Sequence, residues 1–292
     1  MAWIVKRPFF FLKVLLRGIG QIMLQENAIT GLLFLIGLFY ASVLMGIAAL
    51  LATLMGTATA YVFGFDKKET GQGLYGFSAA LVGVATFVFL KPVLISWLIL
   101  AIGSVTSAVI QHFFIKRAIP VFTLPFVLVT WGIVYGITYL TPDLLLETGA
   151  LPSASSDMYF FPLKGYGQVI FQASLWSGIL FFVGVIISSR ISAVYGLLGA
   201  IVSGVTALPF VPFEEIANGL LSYNAVLCAL VFAGKEIKDA VWALVAVVLS
   251  LVFSLLLKEY QLLALTFPFV LASYLTLLIK GKLAFVFMQC GE

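Results

Sequence analysis

The chain is written twice. Gly-x-Gly-Gln-x-x-x-Gln occurs at Gly18, Gly20, Gln21 and Gln25, and again at Gly165, Gly167, Gln168 and Gln172. Gly73-Leu74-Tyr75-Gly76-Phe77-Ser78-Ala79 returns as Gly219-Leu220-Leu221-Ser222-Tyr223-Asn224-Ala225. Phe122-Thr123-Leu124-Pro125-Phe126-Val127 returns as Leu265-Thr266-Phe267-Pro268-Phe269-Val270. The offsets from Gly18 to Gly165, Gly73 to Gly219 and Phe122 to Leu265 are 147, 146 and 143 residues, so one unit of about 146 residues fills the chain. Duplicated halves in a bilayer build one pathway along their shared pseudo-symmetry axis.

The bilayer follows from composition. Hydrophobic residues make up 63% and charged residues 10%, against about 25% charge in a soluble domain. Mean hydropathy is +1.17, and apolar stretches of membrane length recur from end to end. The first unit holds five spans near 29–45, 47–64, 73–90, 93–111 and 119–140; the second holds five near 175–189, 191–211, 219–234, 240–257 and 260–279. An odd number of spans returns the chain on the opposite side, so the second unit is inverted. The expected architecture is all-α and integral to the membrane: about ten transmembrane helices plus two re-entrant half-helices. Residues 1–140 form the first inverted repeat, 141–159 an external connector and 160–292 the second repeat.

Charge placement sets the orientation. With the N-terminus inside, Lys6, Arg7, Lys13, Arg17, Lys67, Lys68, Lys116, Arg117, Arg190, Lys235, Lys238, Lys280 and Lys282 are cytoplasmic, and Lys91, Lys164 and Lys258 are external. That split of 13 to 3 obeys the positive-inside rule and places both termini in the cytoplasm. Lys6, Arg7, Lys13 and Arg17 interrupt the first apolar run, and no small-residue cleavage pattern follows, so no removed signal is expected. The net charge of +4 is a topology signal rather than a nucleic-acid footprint. Short tails and the lack of an Asn-x-Ser/Thr acceptor point to a bacterial inner membrane.

Each unit opens with a segment too short or interrupted for a span, near 8–26 and 160–173, which carries the Gly-Gln pattern. Such half-helices enter a membrane where protein or a wet cavity satisfies their ends; the alternative for one copy alone is an amphipathic surface helix. Span centres hold no Asp, Glu, Lys, Arg or His, which removes the usual vehicle of ion coupling. The only histidine, His112, reads as a solvated loop residue beside Lys116 and Arg117. No nucleophile–base pair or metal-ligand cluster appears, so neither catalysis nor a cofactor or metal is expected. The two cysteines, Cys228 and Cys290, have no disulfide or metal spacing.

Uncharged polar residues remain. Thr123 and Thr266 each stand two positions before a proline inside an apolar span. Proline lacks an amide hydrogen, so Pro125 is expected to free the carbonyl of Val121, and Pro268 that of Ala264. The result would be a mid-membrane ladder of acceptors suited to a neutral hydrogen-bond donor. Gln21 and Gln168 bring an amide with both donor and acceptor to a helix end; Gln25 and Gln172, one turn on, read as structural. Phe77, Tyr223 and Phe171 belong to the repeated motifs, and flat rings wall a slot for a planar molecule.

These motifs resemble the urea transporter family over about residues 18–280. The resemblance rests on Gly-x-x-Gln-Val, on Gly-Leu-x-Gly-Phe-Ser-Ala and its partner, and on the twice-occurring Thr-x-Pro-Phe. It implies a homotrimer with one pore per subunit and passive, channel-like conduction of urea, possible amide analogues included. Carried over by motif, Gln21 and Gln168 hold urea at the two ends of the filter, and Thr123 and Thr266 stand at its centre. Phe77 with Leu81, Tyr223 with Leu227, and Phe171 wall the slot. Leu24 occupies the place matching Phe171. Three positions depart from the family pattern: Ser78 where Asn is usual, Leu24 where the counterpart is aromatic, and Tyr223 where Phe is common. The alternative is a channel for ammonia, acetamide or a similar short amide, or water; an ion-coupled transporter and a non-transporting scaffold fit the uncharged, duplicated polar residues less well.

Overall fold

The computed structural model describes residues 8–120, 122–146 and 159–289. Their regular secondary structure is helical, with one isolated β-bridge between Leu90 and Leu145 among the described residues. In the first unit the helices are α1 (Pro8–Gly20), α2 (Ala28–Ala41), α3 (Val43–Val62), α4 (Lys67–Gly71), α5 (Phe77–Phe89), α6 (Leu94–Ile115) and α7 (Leu124–Leu140). In the second they are α8 (Phe161–Gln168), α9 (Leu175–Ser188), α10 (Arg190–Ala207), α11 (Phe213–Ala217), α12 (Tyr223–Phe232), α13 (Ile237–Glu259) and α14 (Phe267–Gln289). The two rows match one for one, short helix for short helix.

Four helices, α3, α6, α10 and α13, are long and apolar enough to cross a bilayer, and five shorter apolar helices of 10–17 residues accompany them. The chain bends by 77° between Phe9–Met23 and Ala28–Ala41. The packing is that of a membrane protein: small residues face inward and large apolar ones outward. Ala48, Ala49, Ala52, Ser104, Ser107, Ala200 and Ser203 are buried, whereas Ile102, Val205 and Leu244 are more than half exposed. Buried hydroxyls bond back to their own helices, as Thr53 does to the Ala49 carbonyl and Ser104 to that of Leu100.

The halves meet along α2 and α9. Thr30 donates to the Gly184 carbonyl at 2.7 Å, and Ser177 donates to that of Gly37 at 2.8 Å. Thr30 and Ser177 are counterparts, as are Gly37 and Gly184, so each contact is made twice. Phe34 and Phe181, also counterparts, pack with ring centroids 5.0 Å apart. The start of one helix touches the end of the other. The pair is therefore antiparallel about a local two-fold axis at the two rings, a self-complementary interface. Each facing glycine makes room for a ring: a Cβ on Gly37 would lie 2.6 Å from the Phe181 ring, and one on Gly184 2.9 Å from that of Phe34.

Three sequence expectations need correction. The spans near 119–140 and 260–279 begin later, at Leu124 and Phe267, because the chain before them is irregular. Ala118 and Phe122 have φ of 53° and 46°, and their counterparts Gln261 and Leu265 have the same two values. Pro125 and Pro268 accordingly lie in first helical turns, where proline costs no hydrogen bond. The Ala264 carbonyl is not freed, since it accepts from Phe267 N at 3.0 Å; Val121 lies outside the described residues. Lys164, assigned to the external side by charge, is buried within the expected half-helix, α8. His112 is not a loop residue. It sits in the last turn of α6, stacked on Phe65 at 3.8 Å, with Nδ1 3.1 Å from the Tyr75 hydroxyl. Most of the connector expected at 141–159 falls outside the described residues.

Candidate functional site

The half-helices α1 and α8 explain the Gly-Gln motif. α1 runs into a 3-10 turn, Gln21–Met23, and the chain then reverses at Leu24, with φ 59°. α8 ends in the same way at Phe171, with φ 57°. The reversal brings Gln25 N to the Gly20 carbonyl at 3.2 Å and Gln172 N to the Gly167 carbonyl at 3.0 Å. A side chain has no room there: a Cβ on Gly20 or Gly167 would lie 2.6 Å or 2.3 Å from the carbonyl oxygen of Gln25 or Gln172. Gln25 and Gln172 are buried and lock the turn, donating to the carbonyls of Met23 and Ile170 at 2.8 Å and 3.0 Å.

The turn projects Gln21 and Gln168. Gln21 Nε2 donates to the Gln72 carbonyl at 3.2 Å, and Gln168 Nε2 donates to that of Asn218 at 2.9 Å. Gln72 and Asn218 are themselves counterparts. Each amide therefore has its nitrogen on the backbone, while its Oε1 has no hydrogen-bond donor among the described residues. Two glutamines become two acceptors.

Each acceptor lines a cavity. The first, of about 370 Å³, is lined by Gln21, Ile22, Leu24, Leu74, Phe77 and Thr123, among others. The second, of about 180 Å³, is lined by Gln168, Val169, Phe171, Leu220, Tyr223 and Thr266, among others. These six residues are the counterparts of the first six. No Asp, Glu, Lys, Arg or His is among the described residues lining either cavity. Charge stays at the rim, where Arg17 donates to the Gly71 carbonyl and lies 3.8 Å from Glu26.

Thr123 and Thr266 lie where the cavities end. Their hydroxyl oxygens are 2.6 Å apart, and both residues are 3% exposed. Residues 143 apart that touch each other straddle the two-fold axis. Each threonine precedes the first residue of its helix, α7 or α14, held there by the left-handed residue before it. Rings close the surroundings: Phe122 meets Phe269 edge-on at 5.2 Å, and Phe171 meets Phe126 at 6.1 Å and Phe89 at 6.2 Å. Leu81 and Leu227, expected on the slot wall, are fully buried one helical turn beyond Phe77 and Tyr223.

The family model for the urea transporter matches residues 12–281. The chain belongs to the urea transporter family. That membership makes it a multi-pass membrane transporter of urea rather than an enzyme. The chain is 27% identical to Urea transporter 1 of Rattus norvegicus over 80% of its own length and 66% of the rat protein's. It is 26% identical to Urea transporter 1 of Mus musculus and 25% identical to that of Capra hircus, over 96% of this chain and 80% of each relative.

Three contacts at the site were not foreseen from the motifs. Gln111, in the last turn of α6, lines the first cavity and accepts from the Ser78 hydroxyl at 3.2 Å. The Tyr223 hydroxyl donates to the Leu265 carbonyl at 2.7 Å. Asn224 donates to that same carbonyl at 3.3 Å and accepts from Phe269 N at 3.2 Å. The last two were visible in the sequence only as departures or retentions at single positions.

Proposed function

We propose that urea crosses by facilitated diffusion, passing from one cavity to the other through the Thr123–Thr266 contact. The observation that carries this route is the hydrogen-bonded threonine pair, flanked on each side by an uncharged cavity with a glutamine acceptor. Urea is planar and neutral, and its four N–H groups seek acceptors. Gln21 Oε1 or Gln168 Oε1 receives it at a mouth. At the centre the threonine hydroxyls exchange their mutual bond for bonds to the solute, so the step trades one hydrogen bond for others of similar strength. Weak, distributed contacts let the solute leave. An ion would shed hydration with no charged partner on the lining, a cost of many kcal/mol.

The same reading places the two units upside down relative to each other in the bilayer, which the antiparallel α2–α9 pair supports. Both termini lie in the cytoplasm of a cell, bacterial and inner-membrane by preference, and the first cavity opens inward. The homotrimer with one pore per subunit rests on the family resemblance; a monomeric mass in detergent and in bilayers would remove it.

Stopped-flow urea flux into proteoliposomes tests the route, with wild type set beside Thr266→Val and Gln168→Leu. Fast, saturable, ionophore-insensitive flux that falls in both variants is expected. Absence of urea flux would redirect the substrate to acetamide, ammonia or water. Flux that survives both substitutions would keep the substrate and discard the filter.

A further inference from the structure

The lining is rich in acceptors for the solute's N–H groups, yet urea also has a carbonyl oxygen that loses its water. One side chain in the first cavity is arranged to meet it. Gln111 is 2% exposed and lines that cavity with Gln21 and Thr123. Its Oε1 accepts from the Ser78 hydroxyl, which fixes the plane of the amide. Its Nε2 has no hydrogen-bond acceptor among the described residues. The fully shielded side-chain polar atoms without a partner are the hydroxyls of Thr57 and Thr130 alone among those residues, so the Gln111 nitrogen opens onto the cavity. The amides of Gln21 and Gln168 are turned the other way, nitrogen to backbone and oxygen free.

The second half has no equivalent. Ala118 and Gln261 are counterparts by conformation and the starts of α6 and α13 are 143 residues apart, so Ser254 stands where Gln111 does. Its hydroxyl bonds to the Ser250 carbonyl of its own helix and lines neither cavity. Asn224, the counterpart of Ser78, is occupied with the Leu265 carbonyl and Phe269 N.

We propose that Gln111 is a specificity-determining residue that donates its side-chain amide to the carbonyl oxygen of the solute in the first cavity. The inference rests on the urea reading above. Urea in that cavity points its oxygen at Gln111 and its N–H groups at Gln21 Oε1 and the Thr123 hydroxyl, so the first half orients the solute and the second does not.

Thiourea tests this, because it keeps the planar shape and the N–H donors while its sulfur is a poor acceptor. Urea and thiourea flux are measured in the same proteoliposomes for wild type, Gln111→Met, Gln111→Glu and Ser78→Ala. One lost hydrogen bond corresponds to a fall of about threefold to tenfold. Gln111→Met and Gln111→Glu are expected to lower urea flux by that factor and leave thiourea flux within about twofold of wild type. Ser78→Ala, which only frees the amide to rotate, is expected to lower the urea-to-thiourea ratio less. Thiourea flux doubles as the folding control. A ratio unchanged in Gln111→Met, or retained in Gln111→Glu, overturns the assignment while leaving urea transport standing. If both Gln111 variants lose both fluxes, an unchanged ratio in Ser78→Ala overturns it instead. Wild type without urea flux removes the underlying reading and is recognised separately.

Discussion

The two halves share a skeleton and differ in what they tie down. In the second half the carbonyl before the threonine, that of Leu265, is held by Tyr223 and Asn224 together, and Asn224 also caps Phe269 N at the start of α14. In the first half Phe77 has no hydroxyl, and Ser78 turns to Gln111 instead. The first cavity is about 370 Å³ and the second about 180 Å³. The rims diverge as well. Glu69 accepts from the Tyr75 hydroxyl beside His112 in one half, whereas its counterpart Glu215 pairs with Lys258 in the other. Arg17 faces Glu26, while the positions matching them hold Lys164 and Ala173. The lesson is that duplication preserves what fixes the backbone and lets the two mouths specialise.

The sharpest way to break the equivalence is at the glycines where each half-helix packs on the next helix. A Cβ on Gly31 would lie 1.7 Å from the Leu16 carbonyl oxygen, and one on Gly178 2.1 Å from that of Leu163. Backbone faces backbone, so neither site relaxes cheaply; Gly31→Ala and Gly178→Ala are each expected to cost upwards of about 3 kcal/mol. Monodispersity after detergent extraction reads this. Normal behaviour of one variant beside collapse of the other would show that the halves do not pack alike.

Next in size is the shared threonine contact. Thr123→Val and Thr266→Val each leave the opposite hydroxyl buried without its partner, a penalty of about 1–3 kcal/mol, and about tenfold in urea flux is the expected scale. Because one bond joins them, the double variant should lose much less than the product of the two, a coupling that a double-mutant cycle measures. Independent, multiplicative losses would place the two hydroxyls in separate steps of passage.

Smaller effects sharpen the contrast between mouths. Asn224→Ser would strip a cap from Phe269 N and one donor from the Leu265 carbonyl, costing about 1 kcal/mol of thermal stability in detergent. The reverse change, Ser78→Asn, tests whether the first half accepts the same clamp; a stabilised protein with altered urea flux is expected. Smallest of all is Lys258→Met. Lys258 is 43% exposed at its side chain, so its ion pair with Glu215 contributes less than about 1 kcal/mol. Tyr75→Phe at the matching rim removes a donor from a residue only 1% exposed and should cost more. Thermal melts of the two variants that reversed this order would show the exposed pair to be the stronger latch.

Much of this was legible in residues. Hydropathy and repetition located the half-helices, and each of the ten expected spans overlaps mainly one described helix, whereas the short α4 and α11 between spans were not expected. Gln21, Thr123, Phe77 and Leu24 line one cavity, and Gln168, Thr266, Tyr223 and Phe171 line the other. The proline reasoning failed because Thr-x-Pro looks the same within a helix and at its start, and only the left-handed φ of Phe122 and Leu265 separates the two.

By itself the sequence determined what is local or periodic: an all-helical membrane chain, a duplicated unit, and the small set of polar residues that an apolar interior tolerates only with partners. Tertiary structure decided which partner each took. It turned the Gln21 and Gln168 amides toward the Gln72 and Asn218 carbonyls, and Gln111 the opposite way toward Ser78. It also brought Thr123 and Thr266 to 2.6 Å across a gap of 143 residues. A hydrogen bond depends on direction and distance between groups far apart in the chain. Residue type supplies the donors and acceptors, and only the packed helices aim them.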